Sequence, residues 1–202
     1  MNLKFACARL LLLILLSPCA AITARAQVNL VINGGFDVRE GLSFSIVPWV
    51  QTGTLLLTAG GCQTADGPNA AGIVAGLLYQ DIPTVSGQRY LLSFYVAGYA
   101  PDGPLPFIHN LAVDWGSQRV GVTSFDSTGR TFSNMGWSRR EFEIQTSSSL
   151  TRLSFSNPNA ISNPNIPLLD RVQLVAIPEP ASWALIGLAS AALFVTRRVR
   201  SR

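Results

Sequence analysis

Lysine and cysteine are nearly absent from this 202-residue chain. The single lysine is Lys4, and Cys62 is the only cysteine after residue 26. One cysteine cannot form an internal disulfide, so residues 27–176 must be held together by their core or by a metal. These residues contain eight arginines and ten carboxylates, a formal charge of about −2 (8 − 10). The net charge of +4 therefore comes from the two ends of the chain, and no basic patch indicates nucleic-acid binding.

Side chains that commonly carry out catalysis are also scarce. His109 is the only histidine, and the chain has no G-x-S-x-G, H-E-x-x-H, P-loop or G-x-G-x-x-G motif. A lone histidine is more often a hydrogen-bonding residue than a base, and Glu141 and Glu143 alternate with apolar residues as on a solvated strand. We therefore predict that the body is not an enzyme. A glycoside hydrolase is the remote alternative, and it would need two carboxylates facing each other across a cleft.

Residues 1–26 have the organisation of a secretory signal peptide. Lys4 and Arg9 are basic, residues 10–16 are all apolar, and Ala24-Arg25-Ala26 forms a small-x-small cleavage site. A membrane anchor is the alternative, but the apolar run is short for one. The sequence therefore predicts export and removal of residues 1–26.

The C-terminal residues 177–202 have a second recognisable organisation. A Pro-Glu-Pro triplet is followed by an apolar segment, 181–196, and by a basic tail, 197–202. A helix of this apolar length spans about 24 Å, just short of a comfortable membrane span. The basic tail would stay cytoplasmic and leave the body outside, whereas a buried core helix would not usually end in arginines. The residues that define the segment are Pro178, Glu179, Pro180, Arg197, Arg198 and Arg200.

This C-terminal segment resembles the PEP-CTERM sorting signal. The resemblance implies a Gram-negative exporter and an exosortase, a membrane protease that removes such tails. The implied partners are the exosortase, the secretion machinery and the membrane, which the helix 181–196 would enter. The implied route is transient anchoring in the inner membrane with the body outside, then the cell surface or the extracellular matrix. The resemblance also implies an association with extracellular polysaccharide and biofilm.

The body, residues 27–176, has no stretch of helical periodicity. Its short alternating apolar runs are broken by Gly, Pro, Asn and Ser, a pattern typical of an all-β sandwich or barrel. In the clearest strand, 89–97, the side chains of Tyr90, Leu92, Phe94 and Val96 share one face. The predicted strands are 30–32, 54–58, 73–80, 89–97, 108–115, 119–125, 137–144, 151–155 and 168–175.

Four segments of the body carry a resemblance to known families. They are NLVINGGFD (29–37), GLLYQDIPTVSGQRYLLSFYVAG (76–98), WSRREFEIQTSSSLTRLSF (137–155) and PLLDRVQLV (167–175). Together they resemble the galactose-binding-like families, nearest to the DUF642-type and family-4/9-type carbohydrate-binding modules. The implied fold is a jelly-roll β-sandwich of two antiparallel sheets, between the signal peptide and the transmembrane helix. Some members of these families bind sugars.

The same resemblance implies one structural calcium. The acidic residue after the NGxF motif falls on Asp37, and that of the closing L-D-x-V motif falls on Asp170. Calcium prefers carboxylate and carbonyl oxygens, so these two side chains could supply part of its shell. The alternative, equally open, is that Asp37 is an ordinary loop residue and Asp170 caps a turn.

Sugar binding requires exposed aromatic rings beside hydrogen-bonding groups. The candidates are Tyr95, Tyr99 and Trp115 as rings, with Asn110 and Arg119 as polar partners. Packing in the core is the alternative for each ring, and it is the prediction for Trp49 and Trp137. The leading hypothesis is an exported envelope or matrix protein that binds extracellular polysaccharide or packs within it. A structural or adhesive surface protein that binds no glycan is the second hypothesis.

Overall fold

The computed structural model describes residues 27–39, 45–53, 55–57, 61–99, 108–160 and 165–178. The predicted signal peptide, the apolar segment 181–196 and the basic tail with Arg197, Arg198 and Arg200 lie outside these residues, as do Glu179 and Pro180. In the described part, all the named elements are β-strands, and no helix there is long and apolar enough to cross a membrane.

Within the described residues, ten strands form two five-stranded antiparallel sheets. The front sheet has the order β1-β4-β9-β6-β7, and the back sheet has the order β2-β3-β10-β5-β8. Successive strands such as β4 and β5 lie in different sheets, so the chain repeatedly crosses between them. The strands are β1 (Val50–Thr52), β2 (Leu55–Leu57), β3 (Ala71–Ile73), β4 (Leu77–Pro83), β5 (Arg89–Gly98), β6 (Ile108–Trp115), β7 (Gln118–Asp126), β8 (Ser138–Gln145), β9 (Leu150–Ser156) and β10 (Pro167–Ala176). The predicted all-β sandwich is therefore confirmed.

The core lies between the inner faces of the two sheets. Phe94 of β5 and Phe155 of β9 meet edge to face, with ring centroids 5.4 Å apart. Trp49 packs between Phe155 and Phe36, at 6.1 and 5.5 Å, and is buried as predicted. Trp137 is only half-buried at the margin of this core.

Two strand predictions need correction. Residues 30–32 are not a strand, although Leu30 N donates to Leu174 O and the Gln80 amide bonds the backbone of Ile32. The predicted strand 73–80 is two strands, because a turn at Gly76 separates β3 from β4. Gly76 has a φ of +88°, and a methyl group built there would lie 1.8 Å from Thr52 O. Glycine is strongly favoured in this conformation, and the chain passes here from the back sheet to the front sheet.

His109 belongs to the core. It lies on the inner face of β6, is fully buried, and its Nε2 is 2.9 Å from Ser127 Oγ. Burial lowers the pKa of His109 to about 4 and keeps the ring neutral. The ring also packs against the backbone of Gly98 at the end of β5, where a methyl group would lie 2.1 Å from His109 Cδ2. Gly98 is thus the place where an imidazole fits between the two sheets.

Replacing Gly98 should overpack this site. We expect Gly98→Ala to lower the free energy of unfolding by about 1–3 kcal/mol, because the imidazole or the backbone must move. Gly61→Ala is the matched control, since a methyl group there has no neighbour within 4 Å. Chemical denaturation of both variants measures the difference, and equal stability of the two would contradict the packing described here.

Candidate functional site

An exposed polar surface covers the outer side of the front sheet. Alternation along β4 turns Leu78 and Ile82 inward, so Tyr79 and Asp81 point outward. Arg152 of β9 lies opposite Asp81 in the strand pairing and shares its face. The polar face, as we call it, consists of Tyr79, Asp81, Asp114, Arg119 and Arg152.

Two carboxylate–guanidinium pairs organise the polar face. The Arg152 guanidinium donates two hydrogen bonds to the Asp81 carboxylate, from Nε to Oδ1 at 2.7 Å and from Nη2 to Oδ2 at 2.8 Å. The Arg152 guanidinium also lies over the Tyr79 ring, 3.8 Å from its centroid. The hydrogen bond from Arg152 holds the pKa of Asp81 below its usual value, so this carboxylate stays ionised. Arg119 pairs in the same way with Asp114 on the neighbouring hairpin β6–β7.

The turns 84–88, 116–117 and 146–149 lie at one end of the sandwich, which we call the lower end. A pocket of about 350 Å³ lies there, and Arg152 of the polar face is one of its lining residues. Its lining is rich in hydroxyl and amide groups. The lining residues are Trp115, Gly116, Ser117, Gln118, Gln145, Thr146, Ser147, Ser148, Leu150, Thr151 and Arg152. A second, more open pocket of about 790 Å³ lies at the upper end, lined by Gly61, Cys62, Gln63, Thr64, Pro68, Thr131, Phe132 and Ser133.

The five predicted sugar-binding residues do not form one site. Asn110, hydrogen-bonded to Ser124, and Arg119 lie on the outer side of the front sheet. Trp115 is on the inner side, only 4% exposed, and donates its Nε1 hydrogen to Gln145 O at 3.1 Å. It therefore presents no open ring face, which corrects the prediction of an exposed platform there.

The two predicted tyrosines lie elsewhere. Tyr95 is half-buried on the outer side of the back sheet, with the Arg171 guanidinium 5.7 Å from its ring centroid. Tyr99 follows β5 and packs against Phe132, whose ring centroid is 5.3 Å away and which lines the upper pocket. Each ring is therefore separate from the polar face.

Sequence reasoning missed the central members of the polar face. Tyr79, Asp81 and Arg152 are not among the residues that the sequence predicts to bind sugar. The alternation of β4 places Tyr79 and Asp81 on one side, and this signal was available in the sequence. The pairing of Asp81 with Arg152 was not, because 71 positions separate them.

Asp37 and Asp170, which the resemblance implied as calcium ligands, both lie next to Gly35. A methyl group built on Gly35 would lie 3.4 Å from Asp37 Oδ2 and 4.0 Å from Asp170 Oδ1, so the two carboxylates flank this glycine. Asp170 is fully buried on the outer side of β10, beneath the loop 61–70. Its carboxylate accepts hydrogen bonds from the backbone N–H groups of Ala65 (2.8 Å), Asp66 (2.9 Å) and Arg171 (2.6 Å).

The donor set around Gly35 fits a hard cation. Burial raises the pKa of Asp170 to about 6, although the backbone hydrogen bonds from Asp66, Arg171 and Ala65 oppose this shift. Asp37 would supply a second oxygen ligand to such a cation, and its Oδ1 accepts a 3.3 Å hydrogen bond from the Asn69 amide. Within the described residues no three His, Cys, Asp or Glu side chains cluster, so backbone carbonyls would have to complete a shell.

The backbone around the two carboxylates is unusual. Among the described residues, three other than glycine have a positive φ, namely Asn33 (+54°), Phe36 (+61°) and Arg171 (+49°), and all three lie within four residues of Asp37 or Asp170 in the chain. Asn33 holds the loop closed by donating its amide to Val38 O (2.8 Å) and Val47 O (2.7 Å). Such backbone conformations persist only when the surrounding structure enforces them. The backbone around Asp37 and Asp170, which we call the cradle, is therefore preformed.

Comparison with known proteins assigns the C-terminal segment. The family model described as the PEP-CTERM protein-sorting motif matches residues 176–200. This motif indicates an exported protein that is sorted to the cell envelope. No curated protein sequence matches the chain.

Solved structures similar to the chain share its sandwich. The carbohydrate-binding module TmCBM61, in complex with β-1,4-galactotriose, has a TM-score of 0.53 and 16% identity over 74% of this chain and 99% of its own. A Stig cyclase from Fischerella sp. TAU has a TM-score of 0.54 and 14% identity over 77% of this chain and 100% of its own. The tandem CBM22 domains of Xyn10C from Paenibacillus barcinonensis reach a TM-score of 0.50 at 14% identity, over 78% of this chain and 48% of theirs. The chain thus combines the jelly-roll fold of carbohydrate-binding modules with a PEP-CTERM sorting motif.

Proposed function

We propose that this chain is an exported envelope or matrix protein that binds a polysaccharide on its polar face. The observation that carries the proposal is the Tyr79–Arg152–Asp81 arrangement, an aromatic ring, a guanidinium and a carboxylate in contact on an exposed sheet. These side chains add nothing to the core, and surface ion pairs contribute little to stability. A role in recognition accounts for their arrangement better than a role in folding.

The polar face offers the contacts that a neutral glycan needs. Carboxylates accept hydrogen bonds from hydroxyl groups, guanidinium groups donate them, and the stacked Tyr79 and Arg152 supply a flat surface for a sugar ring. One row of outward residues crosses all five strands from Val50 to Arg119, a width of about 19 Å at the usual strand spacing. A short stretch of an extended polysaccharide would fit along this row. The galactotriose bound by the similar module supports this ligand class.

The charge state of Asp81 favours binding over hydrolysis. A glycosidase needs a general acid whose pKa is raised so that it can donate a proton. The pKa of Asp81 is lowered instead, by Arg152. The proposed site takes Tyr79 as its ring and keeps Arg119 from the sequence prediction, while Asn110 lies on the same outer side of the sheet.

Removal of either member of the central pair should weaken glycan binding. We expect Asp81→Ala and Arg152→Ala to lower affinity about tenfold, the cost of one charge-assisted hydrogen-bonding group. Affinity electrophoresis of the purified chain in gels containing the producer's own polysaccharide, β-1,4-galactan or xylan measures the effect.

Controls come from the back sheet. Arg139→Ala removes an arginine that is ion-paired with Glu141, and Tyr95→Ala removes a tyrosine on the outer side of the back sheet. Both variants should bind the polysaccharide as the wild-type protein does. If Tyr95→Ala abolished binding and Arg152→Ala did not, the polar face would be the wrong site. If the wild-type protein were not retarded in any gel, the structural or adhesive alternative would stand.

We further propose that residues 181–196 anchor the chain in the inner membrane until an exosortase removes them. The matched motif at residues 176–200 supports this route. In an exosortase-deleted strain we expect the chain to keep its tail and to stay with the inner membrane, as measured by mass and by fractionation. Identical mass and location in the deleted and parent strains would contradict the proposal.

Calcium in the cradle of Asp37 and Asp170 is also a proposal. A cation would neutralise the buried Asp170 charge and should raise the melting temperature of chelator-treated protein by several degrees at pH 7.5. Asp37→Asn should lose this response, whereas Asp126→Asn, at an exposed turn, should keep it. Calorimetry with calcium and with magnesium tests this, and no shift in the wild-type protein would leave Asp170 as a turn cap.

A further inference from the structure

The end of the described chain is fastened to the sandwich. β10 remains paired with β5 up to Ala176, opposite Tyr90. Beyond it, Ile177 N donates to Arg89 O at 2.9 Å, and the Gln88 amide donates to Ile177 O at 2.7 Å. The chain therefore has no slack before Pro178, and it leaves from the lower end of the sandwich.

This attachment limits how far the body can stand from a membrane that holds residues 181–196. Three residues, Pro178, Glu179 and Pro180, separate Ile177 from Ala181, so the two Cα atoms are at most about 14 Å apart when the chain is fully extended. The polar headgroup region on one side of a bilayer is itself about 5–8 Å thick. The lower end must therefore lie in or directly above the headgroups whenever the tail is inserted.

The lower end has a composition suited to that position. Val28, Val85 and Leu150 are 71%, 66% and 58% exposed. Val85 and Leu150 project from adjoining turns, which are joined by the hydrogen bond from Thr84 N to Ser149 O at 2.9 Å. Val28 lies beside the departing chain, since the neighbouring Gln27 amide donates to Ala176 O.

The charges at this end also suit a bilayer. The segments 83–88, 116–118, 145–150 and 176–178 contain hydroxyl, amide and apolar side chains but no carboxylate. Arg89 is exposed there, and Glu143, further along β8, is ion-paired with it at 3.6 Å. A surface without carboxylates is not repelled by anionic headgroups.

We propose that the lower end is a membrane-contact surface. Val28, Val85 and Leu150 enter the headgroup layer of the outer face of the membrane that holds the tail. This proposal rests on the proposed anchoring by residues 181–196. Because the strands then stand upright on the bilayer, the upper pocket points away from it and the polar face stays open at the side.

The test uses the chain from Gln27 to Arg202 in a Cys62→Ser background. A fluorophore is attached at Ser86→Cys in the lower end or at Ser133→Cys in the upper end. The protein is reconstituted into phosphatidylethanolamine–phosphatidylglycerol vesicles that contain a nitroxide-headgroup lipid. We expect quenching at least about twofold stronger at position 86 than at position 133.

A second pair of variants separates contact from mere tethering. A flexible Gly/Ser linker of about 20 residues between Ile177 and Pro178 lets the body move away from the surface. In this linker form, quenching at position 86 should remain stronger than at position 133. When Val28, Val85 and Leu150 are also replaced by Ser, quenching at position 86 should fall to the level at position 133. The same replacement of the exposed Val38, Ile108 and Val122 is the matched control and should change nothing.

Each outcome decides between the hypotheses. If the chain does not float with the vesicles, the anchoring proposal fails. If it floats but position 86 in the linker form is quenched no more than position 133, membrane contact is overturned. Membrane contact would also be overturned if position 86 were shielded from solvent only in native membranes that contain the exosortase. The lower end would then be a surface that contacts the protease.

Discussion

Packing between the inner faces of the two sheets holds the sandwich together, and Phe155 lies at its centre. Its ring meets Phe94 of the back sheet and Trp49 of the loop that closes the front sheet. Without a disulfide in the body, the burial of such inner faces must supply most of the stability. The same burial determines the surface. Because Leu78, Ile82 and Leu153 are buried in the core, the alternation of β4 and β9 places Tyr79, Asp81 and Arg152 on the outer side of the sheet.

The sequence predicted the architecture well because strand alternation is a local property. Tyr90, Leu92, Phe94 and Val96 are all buried, as their spacing indicates. The prediction failed where a single backbone position overrides that pattern, as at Gly76. The sugar site was harder, because contacts between distant strands make it. Trp115 illustrates the lesson: it continues the inward series of His109, Leu111 and Val113, so periodicity was a better guide than the polar loops beside it.

Asp170 shows the opposite balance between sequence and structure. The family resemblance implied a shared role for this carboxylate and Asp37, 133 residues apart (170 − 37), although nothing in the local sequence explains why Asp170 should be buried. The structure supplies the reason, since three backbone N–H groups converge on it and strained loop residues surround it. Its charge is tolerated because the loop 61–70 is folded around it.

The position of β10 gives the body a mechanical property. β10 runs between β3 and β5 in the back sheet, and the chain leaves along its axis toward Pro178. A pull on the C-terminal end therefore loads the hydrogen bonds on both sides of this strand in shear, and many must break together. An edge strand such as β8 would instead be peeled away one bond at a time. A pull on the tail is in this way opposed along the axis of a central strand rather than at an edge of the sheet.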